Sequence, residues 1–221
     1  MGAECVARII GDFCFVLYDS EKESLLFARD HFGVKPLFYR ETKDAILIAT
    51  EAKHIGDNRT LSPSDGWVAD YVCGLPTYNC NTLIADVVRL MPGHCAQYRA
   101  GKLTQKRYWS LSIRSQEEQD PVGKFAEHFE TAVRCRMHPT EHVGCLLSGG
   151  LDSSSVTVTL RKIARTKKAL RTYSLVYPNE PRVDESKYIQ KVLQSGNYEP
   201  SFLDFSKTTI DENAGGREQI L

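Results

Sequence analysis

The sequence lacks the patterns that mark membrane, secreted and metal-binding proteins. It has no apolar run near the roughly 20 residues needed to cross a bilayer, and it does not begin with a charged segment and a cleavage site. Its seven cysteines are an odd number and include no CxxC pair, which argues against a disulfide framework and a zinc site. We therefore expect a cytoplasmic protein with reduced thiols.

An excess of charge of one sign is also missing. The 28 basic and 28 acidic residues cancel, so the formal net charge is zero. The basic residues form no block interleaved with aromatic residues, which is the arrangement that holds nucleic-acid phosphates. We expect the partner to be a small molecule or a protein, and neither nucleic acid nor a membrane.

The first half of the chain consists of short apolar segments separated by polar turns. Between residues 11 and 49 these segments are FCFVLYD, SLLFAR, LFYR and AILIA. This pattern predicts a meander of antiparallel strands. From about Lys53 to Asp120 a connector with a few strands follows, and the polar SQEEQDP is the expected boundary between domains 1–115 and 116–221.

The second half changes to a helical period. In PVGKFAEHFETAVRCRMH, apolar residues recur at helical spacing: Val122, Phe125, Phe129 and Val133. We expect a strand in HVGCLL, a helix in DSSSVTVTLRKIAR, a strand in LRTYSLVY and a helix in DESKYIQKVLQS. Such alternation predicts a parallel sheet. The expected fold class is α/β, with an antiparallel α+β first half and a parallel α/β second half.

The segment SGGLDSS connects the first predicted strand of the second half to the helix after it. Glycines let the backbone close around an anion, a helix N-terminus favours negative charge, and Ser148, Ser153 and Ser154 supply hydroxyl donors. The segment matches neither GxxxxGK[ST] nor GxGxxG. Asp152 would repel a phosphate unless a divalent cation lay between them, which predicts Mg²⁺ on Asp152. The alternative is an ordinary Gly-Gly turn followed by a helix cap.

SGGLDSS resembles the pyrophosphatase loop of the asparagine synthetase family. The segments GDFCFVLYD, ARDHFGVKPLFY, ATEAK, PGH and RYW precede it in the order seen across that family, and YSLVYP and DESKYI follow it. The resemblance covers nearly the whole chain. It implies that residues 1–115 are part of a class II glutamine amidotransferase domain of Ntn-hydrolase type with its connector. It also implies that residues 116–221 are part of a PP-loop ATP-pyrophosphatase domain.

The resemblance also implies a reaction. Family members release ammonia from glutamine with an amino-terminal cysteine, and they use ATP and Mg²⁺ to adenylate a small carboxylate, usually aspartate, releasing pyrophosphate and AMP. The implied metal ligand is Asp152, and Asp184 and Glu185 belong either to the acceptor region or, as we prefer, to helix capping. The ATP-binding residues implied here are Leu146, Ser148, Gly149, Gly150, Leu151, Asp152, Ser153, Ser154 and Leu175.

The sequence departs from the family pattern at both ends. Loss of Met1 would expose Gly2, Cys5 is internal, and the family's glutamine-binding residues have no counterpart, so we assign no catalytic residue and expect no glutaminase activity. A second Gly/Asp/Glu-rich loop is also missing before the terminal GGREQIL. The alternatives are an inactive remnant or nucleotide-binding subunit, and a lactam- or macrocycle-forming ligase. Unpaired sheet edges would favour self-association or a completing subunit.

Overall fold

The computed structural model describes residues 3–55, 62–75, 80–113, 119–137, 143–164 and 168–207. The chain forms two compact units, Met1–Ser115 and Gln116–Leu221. The junction between residues 115 and 116 and the terminal GGREQIL, on which two of the expectations depend, lie outside the described residues. Among the described helices, none has the length and apolar character needed to cross a membrane.

The first unit is built mainly from short antiparallel strands. Its elements are a 3₁₀ helix at Ala3–Arg8, β1 (Cys14–Asp19), β2 (Ser24–Arg29), β3 (Phe38–Glu41), β4 (Ile46–Ala49), a 3₁₀ helix at Ala52–His54, α1 (Asp65–Val72), β5 (Val88–Arg89), β6 (His94–Arg99) and β7 (Lys102–Arg107). The strands form two sheets, with the orders β1-β2-β6-β7 and β4-β3-β5. The core lies around β2, where Phe27 and Ala28 have no solvent exposure.

The predicted single meander is wrong in its connectivity, although its strands are present and antiparallel. β2 pairs with β1 and then with β6, whose residue Tyr98 lies opposite Leu25, instead of continuing to β3. β3 pairs with β4 and β5 in the second sheet. The segment between β2 and β3 therefore moves the chain from one sheet to the other.

Two buried charged residues fix the shape of that connecting segment. Arg29 donates hydrogen bonds to the carbonyl oxygens of Lys35 and Leu90, both at 2.8 Å, and of Gly33 at 2.6 Å. Asp30, only 1% exposed, accepts hydrogen bonds from three amides of the same segment. Burial by itself raises the Asp30 pKa, but the amides of Lys35, Val34 and Phe32 outweigh it and leave the pKa below its ordinary value.

The second unit alternates helices and parallel strands. Its elements are α2 (Pro121–Cys135), β8 (Gly144–Leu146), α3 (Leu151–Ile163), β9 (Leu170–Val176), α4 (Ser186–Leu193), β10 (Tyr198–Asp204) and a 3₁₀ helix at Phe205–Lys207. The strands are parallel in the order β10-β9-β8. The predicted α/β fold class, with antiparallel sheets in one half and a parallel sheet in the other, is confirmed.

The two faces of the parallel sheet have different environments. On β9, Leu170, Thr172 and Ser174 are buried, and Leu170 packs with Cys145 and Leu160 in the core of the second unit. The side chains of the opposite face are exposed, and we call this the open face: Leu146, Tyr173, Leu175, Ser201 and Leu203. The parallel register places Leu146 and Ser201 beside Tyr173, and Leu203 beside Leu175. The open face ends at the loop that follows β8.

Candidate functional site

The loop between β8 and α3, residues 147–150, is tied to its neighbours by backbone contacts. The Leu147 amide donates a 2.9 Å hydrogen bond to the Tyr173 carbonyl, which extends the pairing of β8 with β9. Gly149 has a φ of +89°, and a Cβ at this position would lie 3.0 Å from the Glu185 Cβ and 3.1 Å from its carbonyl oxygen. The backbone conformation and the lack of space both require glycine at this position.

The polar groups of the loop bind one another around the start of α3. The Ser148 amide donates to the Ser153 hydroxyl at 3.1 Å, and the two serine hydroxyls are 3.0 Å apart. The Gly150 amide donates to the Ser148 hydroxyl at 3.4 Å, and the Ser153 hydroxyl donates to the Gly150 carbonyl. Gly150 is the N-cap residue of α3 and has no side chain that could cap the helix. An anion at this end of α3 could accept hydrogen bonds from the hydroxyls now bonded to each other.

Three of the expected ATP-binding residues share one cavity. Leu146, Ser148 and Leu175 line a space of about 330 Å³ beside the loop, which we call the loop cavity. Tyr173 and Glu185 line it as well. A cavity of this size is at the small end of the range for ligand sites, and it combines apolar walls with a few polar groups in the way such sites do.

The other expected residues lie around the N-terminus of α3. Asp152 and Ser154 line a separate cleft of about 960 Å³ between α2 and α3. Leu151, the first residue of α3, is 86% exposed, whereas the hydroxyl of Ser153, in the first turn of α3, is hydrogen-bonded to Ser148 of the loop. The expected residues thus fall in different surroundings. Leu146, Ser148 and Leu175 line the loop cavity, and Asp152 and Ser154 line the helix cleft. The remaining four belong to the loop or to the first turn of α3: Gly149, Gly150, Leu151 and Ser153.

Asp184 and Glu185 have local structural contacts. One Asp184 carboxylate oxygen accepts hydrogen bonds from the Tyr177 amide at 3.0 Å and the Ser186 hydroxyl at 2.8 Å. These two bonds hold the pKa of Asp184 below its ordinary value. Glu185 is the N-cap residue of α4, but its side chain makes no capping hydrogen bond. Asp184 thus closes the turn before α4, and Glu185 packs closely against Gly149 of the loop.

Sequence reasoning missed Tyr173 as a member of the site. The strict alternation of buried and exposed residues in LRTYSLVY would have placed it on the same face as Leu175. It also missed the segment that carries Tyr177 and Val183, which closes one side of the loop cavity. No short-range pattern in the sequence indicates that this segment folds back toward SGGLDSS.

Comparisons with known proteins find a different family match for each half of the chain. Residues 1–109 match the glutamine amidotransferase domain family, and residues 124–209 match the asparagine synthase family. Asparagine synthetase [glutamine-hydrolyzing] 3 of Bacillus subtilis is 29% identical over 208 residues, which cover 87% of this chain and 34% of that protein. The human asparagine synthetase [glutamine-hydrolyzing] is 27% identical over 209 residues, covering 90% of this chain and 36% of the human protein.

A fungal protein with a different name is similar as well. Amidase chyE of Penicillium rubens is 28% identical over 186 residues, which cover 80% of this chain and 27% of the amidase. The match to the glutamine amidotransferase domain thus falls on the antiparallel first unit, and the match to asparagine synthase falls on the parallel second unit. The resemblance to the asparagine synthetase family that the sequence motifs indicate is confirmed by these matches. It spans between about a quarter and just over a third of the length of these relatives.

Proposed function

We propose that this chain binds ATP with Mg²⁺ at the loop of residues 147–150 and contributes to an asparagine synthetase-like amidotransferase. In this proposal a small aspartate-like carboxylate is adenylated, pyrophosphate and AMP leave, and an amide forms. The limits 1–115 and 116–221 for the two domains belong to the same proposal. The observation that supports it best is the shared cavity of Leu146, Ser148 and Leu175, beside Gly149, where the positive φ and the proximity of Glu185 disfavour any other residue.

Each part of the site suits a different part of the nucleotide. Leu146 and Leu175 offer apolar surface to the nucleoside, because they are exposed on the open face at 82% and 49%. The hydroxyls of Ser148 and Ser153 and the amides at the start of α3 suit phosphate oxygens. Because the Ser153 hydroxyl donates to the Gly150 carbonyl, the hydrogen between the two serines comes from Ser148, and a phosphate oxygen can accept it in place of the Ser153 hydroxyl.

The proposed metal ligand is Asp152. Its exposed carboxylate in the first turn of α3 is an oxygen donor of the kind that Mg²⁺ prefers. When bound, Mg²⁺ supplies neutralisation of phosphate charge. Asp152 lines the helix cleft together with Ser154. A nucleotide that contacts both the loop cavity and Asp152 must therefore extend past the N-terminus of α3.

One observation favours a second candidate function, nucleotide binding without release of ammonia from glutamine. Cys5 lies within the 3₁₀ helix Ala3–Arg8 and packs against the core cluster of Val6, Leu26, Ala28 and Cys95. A half-buried thiol in such a position is poorly placed to attack a substrate. In this second candidate the chain binds the nucleotide and depends on another source of ammonia.

Calorimetric titration of the chain with ATP, with and without Mg²⁺, tests the nucleotide proposal. We expect Gly149→Ala to weaken ATP binding at least tenfold, because the added Cβ meets Glu185. Asp152→Asn should abolish the gain in affinity that Mg²⁺ provides. Asp65→Asn is the matched control, since Asp65 is an exposed carboxylate in the first turn of α1. Full Mg²⁺-dependent binding by the Asp152 variant would disprove the metal assignment, and no ATP binding by the unmodified chain would disprove the site.

A further inference from the structure

Tyr173 lies in the middle of the open face. Its neighbours in the parallel register are Leu146 on β8 and Ser201 on β10. The side chain is 45% exposed. It borders the loop cavity and also a second space of about 370 Å³, the sheet cavity, which Ser201 and Leu203 line on the other side. Leu146 and Leu175 line both spaces as well, so the two cavities are adjacent and share the surface of these three residues.

Gly144 determines where the Tyr173 ring lies. A Cβ on Gly144 would be 2.8 Å from Cε2 of the ring and 3.5 Å from Cδ2, so the ring occupies the space that any other residue at position 144 would fill. Gly144 lies in a regular strand, and its φ is not in the left-handed region, so the backbone conformation does not require glycine. The Tyr173 ring is therefore the reason that position 144 favours glycine. With glycine there, the ring can lie across β8.

The positions of the two adjacent cavities indicate the direction of a bound nucleotide. Ser148 of the proposed phosphate-binding loop lines the loop cavity but not the sheet cavity, whereas the apolar surface of Leu146, Tyr173 and Leu175 borders both. A ligand with its phosphates at the loop therefore carries its next group over this surface. Aromatic side chains bind bases through their flat faces, and the Ser201 hydroxyl at the far side can bond to a ring nitrogen or an amino group.

We infer that Tyr173 is a specificity-determining residue on which the purine base of the nucleotide lies, and that Gly144 is a positioning residue for its ring. This inference rests on the proposed nucleotide binding at residues 147–150. It adds Tyr173 and Gly144 to that proposal. It also adds an orientation of the nucleotide, in which the base extends from the loop cavity toward Ser201 and Leu203.

Two ligands separate the base from the phosphates: ATP with Mg²⁺ and inorganic pyrophosphate with Mg²⁺. We expect Tyr173→Leu to weaken ATP binding about tenfold and to leave pyrophosphate affinity within about twofold, because pyrophosphate has no base. Tyr173→Phe keeps the ring and should keep the ATP affinity. A residue that merely stabilised the fold would lower the affinity for both ligands, and calorimetric titration gives both dissociation constants.

A double-mutant cycle tests the role of Gly144. Gly144→Ala should weaken ATP binding about tenfold in the unmodified chain and have no further effect in a Tyr173→Leu background, since the displaced ring is then absent. If Gly144→Ala fails to fold, its circular dichroism would show this. The comparison of Tyr173→Leu with Tyr173→Phe then tests by itself whether the base lies on the Tyr173 ring.

The possible outcomes distinguish this inference from the proposed function. ATP binding that Tyr173→Leu leaves unchanged overturns the inference and leaves the phosphate loop assignment in place. Equal losses of ATP and pyrophosphate affinity also overturn it, because the ring would then act on the loop or the fold. An unmodified chain that binds neither ligand overturns both. A selective loss of ATP affinity supports both.

Discussion

Buried Asp30 shows how one residue can hold a connection between two sheets. Its carboxylate accepts hydrogen bonds from the amides of Phe32, Val34 and Lys35, at 3.1, 3.0 and 2.9 Å. The neighbouring Gly33 has a φ of +68°, and a Cβ there would lie 2.8 Å from the Arg29 guanidinium carbon. ARDHFGVKP is thus a structural motif in this chain, in which Asp30 binds amides of the segment and Arg29 binds carbonyl oxygens of the segment and of Leu90.

The pKa of Asp30 predicts a pH dependence for the stability of the first unit. Because the folded pKa lies below the ordinary value of 3.8, the ionised carboxylate stabilises the fold above that pH. This contribution is lost as the pH falls through the lower, folded pKa. Asp30→Asn should lower the free energy of unfolding near pH 7 by about 1–2 kcal/mol, because an amide group replaces a carboxylate that accepts three bonds.

Urea titrations between pH 3 and pH 7 measure this effect. The stability difference between the unmodified chain and Asp30→Asn should shrink toward the acid end of the range. Asp44→Asn serves as the control, because Asp44 is an exposed carboxylate in the turn between β3 and β4. A difference that stayed constant down to pH 3 would show that the charge of Asp30 does not contribute.

Among the elements, those specified by neighbouring residues were predictable. The strand, glycine loop and helix at residues 144–163 follow from a local pattern. Helix α1 was missed because its segment was expected to belong to a connector with a few strands, although Ser64 is its N-cap and accepts a hydrogen bond from the Trp67 amide at 3.4 Å. Strand β10 contains Pro200, and this is tolerated because β10 is at the edge of the described sheet.

Long-range pairing could not be predicted in the same way. The strand partner of β2 on its second side is β6, about seventy residues further along the chain, and no local pattern selects it. The same reason applies to the candidate site: the residues of SGGLDSS are contiguous, whereas Glu185 and Tyr173 reach them through the packing of α4 and the pairing of β8 with β9. The resemblance to a family supplied Leu175, and alternation alone would have supplied Tyr173.

Only part of the apolar stripe of helix α2 is buried within the described structure. Val122 and Phe125 are 78% and 69% exposed, whereas Val133 is partly buried against the cluster of Cys145, Leu160 and Leu170. Val133→Ala should therefore lower the free energy of unfolding of the second unit by about 1 kcal/mol. Val122→Ala should change it by less than about 0.5 kcal/mol, because it removes an exposed side chain.

These two substitutions form a matched pair, since the same residue type is changed to alanine in the same helix. Denaturant unfolding followed by helical circular dichroism gives both values. Equal losses of stability would mean that the surface around Val122 is covered in solution.

For the whole molecule, the change of period along the sequence was the most useful pattern. Alternating short segments gave way to helical spacing after about residue 120, and the observed units contain antiparallel sheets and a parallel sheet respectively. Each unit also matches its own family. Each has a separate set of buried residues, with Phe27 and Leu90 in the first and Leu160 and Leu170 in the second.

Separate cores predict separate responses to core substitutions. Phe27→Ala should cost about 3–5 kcal/mol and Leu160→Ala about 2–5 kcal/mol, because each leaves a cavity in a closely packed cluster. Hydrogen exchange followed by mass spectrometry resolves where the stability is lost. Phe27→Ala should speed exchange in β1, β2, β6 and β7 and leave α3 and β9 unchanged, whereas Leu160→Ala should do the reverse. Faster exchange throughout the chain from either substitution would mean that the two cores unfold as one cooperative unit.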